Sequence, residues 1–136
     1  MRLFIDNCIS INLAEGIRVL AKIQQYEIVH LREKFDPAVL DVEWIPALAH
    51  EGDWVIVSGD PRISRSKAER AAWHESGLTA FFFSDGFPNK RYWKQAEILV
   101  HWWPQIVLTA REARPGSGFL IPLTGSDFKK IYDPTD

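Results

Sequence analysis

The most regular feature of the sequence is a series of short apolar segments, each bounded by polar or turn-forming residues. Four of them lie at residues 3–5, 27–30, 54–57 and 79–83, and a weaker one lies within 116–123. Their lengths and flanking residues are typical of β-strands. The segment at 54–57 is apolar throughout, which predicts a central strand covered by other elements on both faces.

The segments between these predicted strands show the apolar spacing of amphipathic helices. N-terminal capping patterns predict helix starts at Asn12, Asp41 and Ser66. A long fourth helix is predicted from Pro88, with a kink or a restart at Pro104. Strands and helices therefore alternate along the chain, and this order is typical of a parallel sheet with helices on both faces.

The predicted fold is thus α/β, with three αβα layers around a central, mostly parallel sheet of four or five strands. A chain of 136 residues is long enough for one domain with a substantial core. We expect residues 1–87 to form its main part, and residues 88–136 to add a helix and a short strand to the same domain.

Acidic residues stand at the ends of the predicted strands. Asp6 follows the first strand, Asp60 the third and Asp85 the fourth, while Asp41 starts the helix that leads into the third strand. In an open parallel sheet, ligands bind beyond the carboxyl ends of the strands, so we expect Asp6 and Asp60 to share one edge if their strands are neighbours. Clustered carboxylates need a compensating cation, and Mg²⁺ or Mn²⁺ with oxygen ligands would provide it. The alternative roles are structural, with Asp41 as a helix cap and Asp60 and Asp85 as turn residues.

Three of these aspartates lie in segments that resemble a known family. The segments are Ile5-Asp6-Asn7, then Asp41-Val-Glu-Trp-Ile-Pro-Ala-Leu-Ala-His-Glu-Gly, then Trp-Val-Ile-Val-Ser-Gly-Asp60. In this order they resemble the PIN-like nucleases, and most closely the compact group related to the VapC-type toxins of toxin–antitoxin systems. The resemblance covers residues 1–87, and no diagnostic motif follows Pro88.

The resemblance implies a Mg²⁺- or Mn²⁺-dependent endoribonuclease that is the toxin of a toxin–antitoxin pair. Asp6, Asp41 and Asp60 would be its catalytic, metal-binding residues, and Ser58 would be the small hydroxyl residue near the metal. The resemblance also implies an antitoxin protein as a partner and a homodimer.

The sequence departs from the family pattern at two points. Many PIN domains carry a further glutamate between the first two aspartates, whereas Glu15, Glu33 and Asp36 have no convincing motif here. Compact PIN-like proteins often have Asp-Glu after the first strand, and this chain has Asp6 followed by Asn7. Additional site residues would therefore be Asn7, Glu43, Ser58 or Asp85.

The net charge of −2 argues against a protein that binds nucleic acid by charge alone. The charge is unevenly distributed, because residues 1–59 hold five basic and nine acidic side chains, whereas residues 60–94 hold seven basic and four acidic ones. Arg62, Arg65 and Lys67 follow Asp60 closely, and we expect them to contact RNA phosphates. The alternative is a solvated helix face.

The cellular compartment follows from the single cysteine and the lengths of the apolar segments. Cys8 alone excludes an intrachain disulfide, and no apolar segment is long enough to cross a membrane. We therefore expect a cytoplasmic protein with no membrane contact.

The chain has six tryptophans. Trp54 and Trp103 are expected in the core, whereas Trp93 and Trp102 lie off the apolar stripe of the last helix and are candidates for a partner surface.

Two other functions stay open at this stage. A PIN-like fold without catalysis, acting through a protein partner, would account for the missing glutamate. A receiver-like phosphotransfer domain also clusters aspartates at strand ends, but the first strand here ends in Asp6-Asn7 rather than in two acidic residues.

Overall fold

A computed structural model describes residues 1–134 of the chain. Six strands within these residues form one sheet. The strands are β1 (Arg2–Ile5), β2 (Glu27–His30), β3 (Trp54–Ser58), β4 (Thr79–Phe83), β5 (Gly118–Ile121) and β6 (Lys129–Tyr132). Their order across the sheet is β2-β1-β3-β4-β5-β6; the first five are parallel, and β6 is antiparallel to β5. The predicted α/β fold with a mostly parallel sheet is confirmed. The sheet has six strands rather than the predicted four or five, because β6 was not predicted.

Helices cover both faces of this sheet. They are α1 (Ile11–Leu20), α2 (Leu31–Lys34), α3 (Asp41–Glu51), α4 (Arg62–Arg65), α5 (Lys67–Ser76) and α6 (Tyr92–Glu112). Short 3₁₀ turns follow α1 at Lys22–Gln24 and precede α6 at Phe87–Asn89. None of the helices within residues 1–134 is long and apolar enough to span a membrane.

The side chains of each strand point alternately to the two faces of the sheet, and a separate hydrophobic core lies on each face. On one face, Leu3 and Ile5 of β1 belong to a cluster with buried residues of α1 and α6. On the other face, Phe4 packs with buried residues of α3 and α5, including Trp44 and Trp73. Because both faces are covered, the strands are apolar on both sides, as the sequence predicted for 54–57.

Helix ends differ from the sequence expectations in detail. Helix α1 is capped by Ser10, whose side chain accepts a hydrogen bond from the backbone N–H of Asn12 at 3.1 Å. Helix α3 has Leu40 as its N-cap, so Asp41 is its first residue rather than its cap. The carboxylate of Asp41 is therefore available for contacts other than capping. Helix α6 begins at Tyr92, four residues after Pro88, and runs through Pro104.

The expectation that Trp102 marks a partner surface is wrong. Trp102 is only 4% exposed, and its ring packs against Phe128 with the centroids 5.2 Å apart. Phe128 directly precedes β6, the strand that the sequence pattern did not predict. Trp93 differs from Trp102, because 80% of its surface is exposed.

Candidate active site

The ends of β1 and β3 bring Asp6 and Asp60 to one edge of the sheet. Ile5 pairs with Val57 in the register of these neighbouring parallel strands, and the N–H of Asp6 donates to the carbonyl of Val57 at 3.2 Å. The Ser58 hydroxyl donates to Oδ2 of Asp6, and the same oxygen of Ser58 accepts from the N–H of Asp60 at 3.1 Å. Asp6 and Asp60 therefore share one edge of the sheet, as expected for neighbouring strands, and Ser58 links them.

Asp6 is a buried carboxylate with a high pKa. It is 5% exposed, and its Oδ1 accepts from the N–H groups of Cys8 at 3.0 Å and Gly59 at 3.4 Å. Burial raises the pKa of Asp6 to about 6, although the hydrogen bonds from Ser58 and the two backbone N–H groups favour the charged form. A carboxylate whose pKa is shifted toward neutrality at the edge of a cleft is a candidate functional group.

Asp41 reaches the same edge from α3. A crossover helix runs opposite to the strands that it connects, so its first residue lies near their carboxyl ends. Oδ1 of Asp41 accepts a hydrogen bond from Nε1 of Trp44 at 2.9 Å, one turn further along the helix. Oδ2 of Asp41 accepts from the guanidinium of Arg62.

Arg62, the first residue of α4, bridges Asp41 and Asp60. Its Nε lies 2.8 Å from Oδ2 and 3.1 Å from Oδ1 of Asp60, and its Nη2 donates to both aspartates. A third carboxylate, that of Glu69, lies 3.5 Å from Nη1. Burial would raise the pKa of Asp60, but the hydrogen bonds and the charge of Arg62 hold it below its usual value. Arg62 thus supplies the positive charge that the clustered carboxylates require.

Asp6, Asp41, Asp60 and Arg62 line one small cleft of about 170 Å³. Its polar lining is formed by Asp6, Asn7, Asp41, Asp60 and Arg62, and Trp44 and Cys8 also contribute to its wall. The three strand-end and helix-start aspartates therefore meet in one place.

Comparison with known proteins identifies a family for this chain. The sequence model of a family described as PIN like domain matches residues 1–85. The chain belongs to the PIN-like domain family. No curated protein and no solved structure matches the chain. The matched range of the PIN-like domain contains β1 to β4 and all three cleft aspartates.

PIN domains are commonly nucleases and are generally dependent on divalent metal ions. The donor set of this PIN-like cleft suits such an ion, because three carboxylates and the Asn7 amide offer oxygen ligands only. Within residues 1–134, however, no three His, Cys, Asp or Glu side chains are arranged to hold a metal ion. In the metal-free cleft, Arg62 spans Asp41 and Asp60, and both oxygens of Asp6 are hydrogen-bonded to protein groups.

The other acidic and amide candidates have different partners in the PIN-like structure. Asn7 lines the cleft, and its Oδ1 accepts from Nε of Arg32 at 2.9 Å. Glu43 does not line the cleft; its Oε1 accepts from the N–H of Leu40 at 3.4 Å. Asp85 does not line the cleft; its Oδ1 pairs with the guanidinium of Arg65 at 2.6 Å.

The three acidic residues that lacked a motif do not line the cleft either. Glu15 and Glu33 both pair with Arg18, and Asp36 accepts from the N–H of Ala38 at 2.8 Å.

The three basic candidates have different settings, and only Arg62 lines the cleft. Arg62 is inside the acidic cluster, Arg65 is paired with Asp85 on the surface, and Lys67 is exposed at the start of α5. Sequence reasoning missed two residues, Arg32 and Trp44. Arg32 follows β2 and contacts Asn7, and Trp44 orients Asp41. The position of Trp44, three residues after Asp41 on a helix, is the signal that could have identified it.

Proposed function

We propose that this PIN-like protein is a metal-dependent endoribonuclease that hydrolyses RNA phosphodiester bonds, and that it is the toxin of a toxin–antitoxin pair. The observation that supports this proposal is the meeting of Asp6, Asp41 and Asp60 in one cleft. Asp6 is a buried carboxylate, and it shares this cleft at the edge of the sheet with two further carboxylates. Buried charges are costly unless they bind a partner.

Asp6, Asp41 and Asp60 would hold Mg²⁺ or Mn²⁺, with Asn7 as a further oxygen ligand. When bound there, such an ion lowers the pKa of a water molecule and offsets the charge of the phosphate. The chain itself keeps Asp6 in position through Ser58 and the backbone of the β1 and β3 ends. Trp44 keeps one oxygen of Asp41 in a defined direction.

Arg62, Arg65 and Lys67 would bind the RNA backbone beside the cleft. A guanidinium presents several N–H donors in a fixed plane, which matches the oxygens of a phosphate. Arg62 is the strongest candidate because it already lies against the aspartates, and 53% of its side-chain surface is exposed. We expect it to exchange a carboxylate partner for a phosphate when substrate and metal bind.

The direct test is cleavage of a labelled RNA by the purified protein with Mn²⁺. Asp6→Asn keeps the size of the side chain and removes its charge, so we expect cleavage to fall on the order of a hundredfold or more. Asp127→Asn is the matched control, because Asp127 is an exposed aspartate outside the cleft that accepts a hydrogen bond from the Ser126 hydroxyl. Equal cleavage by wild type and Asp6→Asn would overturn the mechanism.

The toxin role has its own test. Expression of wild type in a bacterial host should arrest growth, whereas expression of Asp6→Asn should not. A protein from the neighbouring gene should relieve the arrest and co-purify with the chain. RNA cleavage by the purified protein without growth arrest in the host would support the nuclease function and contradict the toxin role.

A non-catalytic PIN-like module that acts through a protein partner is the second candidate. The observation that favours it is the ion pairing of Arg62 inside the acidic cleft, because an arginine can neutralise the aspartates without any metal. Calorimetric titration with Mn²⁺ separates the two candidates. Absence of Mn²⁺ binding at millimolar concentration, together with absence of RNA cleavage, would support the module.

A further inference from the structure

One large aromatic side chain is left in solvent at the start of α6. Trp93 is 80% exposed, whereas each of the other five tryptophans is at most 5% exposed. Tyr92, itself 42% exposed, packs edge-on against Trp93 with the ring centroids 5.4 Å apart. The two rings form an exposed aromatic pair, which we call the Tyr92–Trp93 pair. Neither core cluster includes it.

Basic residues lie on both sides of the Tyr92–Trp93 pair in the sequence. Lys90, Arg91 and Lys94 flank it in sequence, and residues 88–96 contain no acidic residue. Within residues 1–134, Lys90 and Arg91 form no ion pair, and the only ion pair of Lys94 is with Glu97 at 3.1 Å. Exposed aromatic rings interleaved with lysine and arginine are typical of surfaces that bind single-stranded nucleic acid.

This surface lies at the same edge of the sheet as the cleft. The 3₁₀ turn that begins at Phe87 follows the carboxyl end of β4, and a Cβ atom added at Gly59 would lie 3.3 Å from the Phe87 ring. Gly59 directly precedes Asp60. Nε2 of Gln95 donates to the carbonyl of Phe87 at 3.1 Å and so ties the first turns of α6 to this segment. The close approach of Gly59 to Phe87 and this hydrogen bond thus connect the segment before Asp60 to the first turns of α6.

We propose that the Tyr92–Trp93 pair is a base-stacking platform that binds single-stranded RNA next to the cleft, an inference that rests on the proposed nuclease function. An unpaired base would stack on the Trp93 indole, and the adjoining phosphates would lie near Lys90 and Arg91. Bases in an RNA duplex are already stacked on one another, so the platform selects unpaired substrates.

The test measures binding of a labelled single-stranded RNA oligonucleotide by fluorescence anisotropy, in EDTA so that no cleavage occurs. We expect Trp93→Ala to weaken binding at least about fivefold and Trp93→Phe to retain most of it. Leu108→Ala is the matched control, because Leu108 is a 48% exposed apolar residue of the same helix, about 22 Å further along it. A duplex of the same sequence should bind more weakly to wild type and be insensitive to Trp93→Ala.

The outcomes separate this inference from the nuclease proposal. If wild type cleaves RNA with Mn²⁺ and Trp93→Ala binds and cleaves it equally well, the platform is wrong and the nuclease remains. If wild type neither binds nor cleaves RNA, both proposals fail. If Trp93→Ala leaves RNA binding unchanged but alters the sedimentation of the protein, the pair is a protein contact and the platform is overturned.

Discussion

The guanidinium of Arg62 donates hydrogen bonds to both carboxylate oxygens of Asp60. The same guanidinium reaches Asp41, so an arginine lies where the aspartates would bind a metal. Arg62→Gln removes a cation that competes with Mn²⁺, so we expect Mn²⁺ to bind about three- to tenfold more tightly. This range corresponds to the energy of the two partly exposed ion pairs that Mn²⁺ no longer has to displace. Calorimetry on the RNA-free protein measures the affinity.

Arg65→Gln serves as the control for this change. Arg65 pairs with Asp85, which does not line the cleft, so its removal should leave Mn²⁺ affinity unchanged. Weaker Mn²⁺ binding by Arg62→Gln than by wild type would mean that Arg62 supports the metal site rather than competing with it.

Asp6 makes stability depend on pH in the metal-free protein. Burial raises the pKa of Asp6 from 3.8 to about 6 in the folded protein. The contribution of Asp6 to the free energy of unfolding is therefore most favourable below pH about 4, and it is lost as the pH rises through about 6. Asp6→Asn removes this dependence and should stabilise the protein at pH ~8 by up to about 3 kcal/mol, with little effect at pH ~4. Urea unfolding of both proteins across this range measures the difference. Parallel pH profiles for the two proteins would contradict this assignment.

The sequence was sufficient to predict the part of the site that depends on strand order. Asp6 and Asp60 follow buried segments, and parallel neighbouring strands place their carboxyl ends together regardless of side-chain detail. Asp41 follows from the same topology, because α3 leads directly into β3. The direction of the Arg62 side chain could not be predicted, since a long flexible cation beside several acids has more than one possible partner.

The pattern of apolar residues also failed to predict features that depend on contacts between residues far apart in the sequence. Strand β6 is only partly buried, and its lysines break the apolar alternation that identifies a strand. Trp102 is buried by Phe128, 26 positions further along the chain, so helical spacing alone misplaced it on the surface.

Trp44 should matter for activity through its N–H group. Trp44→Phe keeps an aromatic ring against Phe4 but removes the hydrogen bond to Asp41, so we expect a loss of stability of about 1 kcal/mol and a roughly tenfold loss of Mn²⁺ affinity. Trp73→Phe is the matched control, because Trp73 is equally buried and packs edge-on against Trp44 without bonding to a cleft aspartate. If both variants lose Mn²⁺ affinity equally, packing rather than orientation explains the effect.

Gly118 of β5 faces the Tyr132 ring of β6 at close range. A Cβ atom at Gly118 would lie 2.1 Å from the Tyr132 ring, so Gly118→Ala must displace this ring. We expect a loss of about 1–3 kcal/mol in the free energy of unfolding. Gly16→Ala is the control, because nothing lies within 4 Å of the added atom inside α1, and it should stabilise the protein by up to about 1 kcal/mol. A neutral Gly118→Ala in urea unfolding would show that Tyr132 moves freely.

The central claim is that the three aspartates form a divalent metal site, and a crystal soaked in Mn²⁺ tests it most directly. Anomalous scattering locates manganese independently of the protein electron density. We predict an anomalous peak in the cleft within coordination distance of Asp6, Asp41 and Asp60, with the Arg62 guanidinium moved away from them. A cleft without an anomalous peak at millimolar Mn²⁺, with Arg62 still bridging Asp41 and Asp60, would contradict the account.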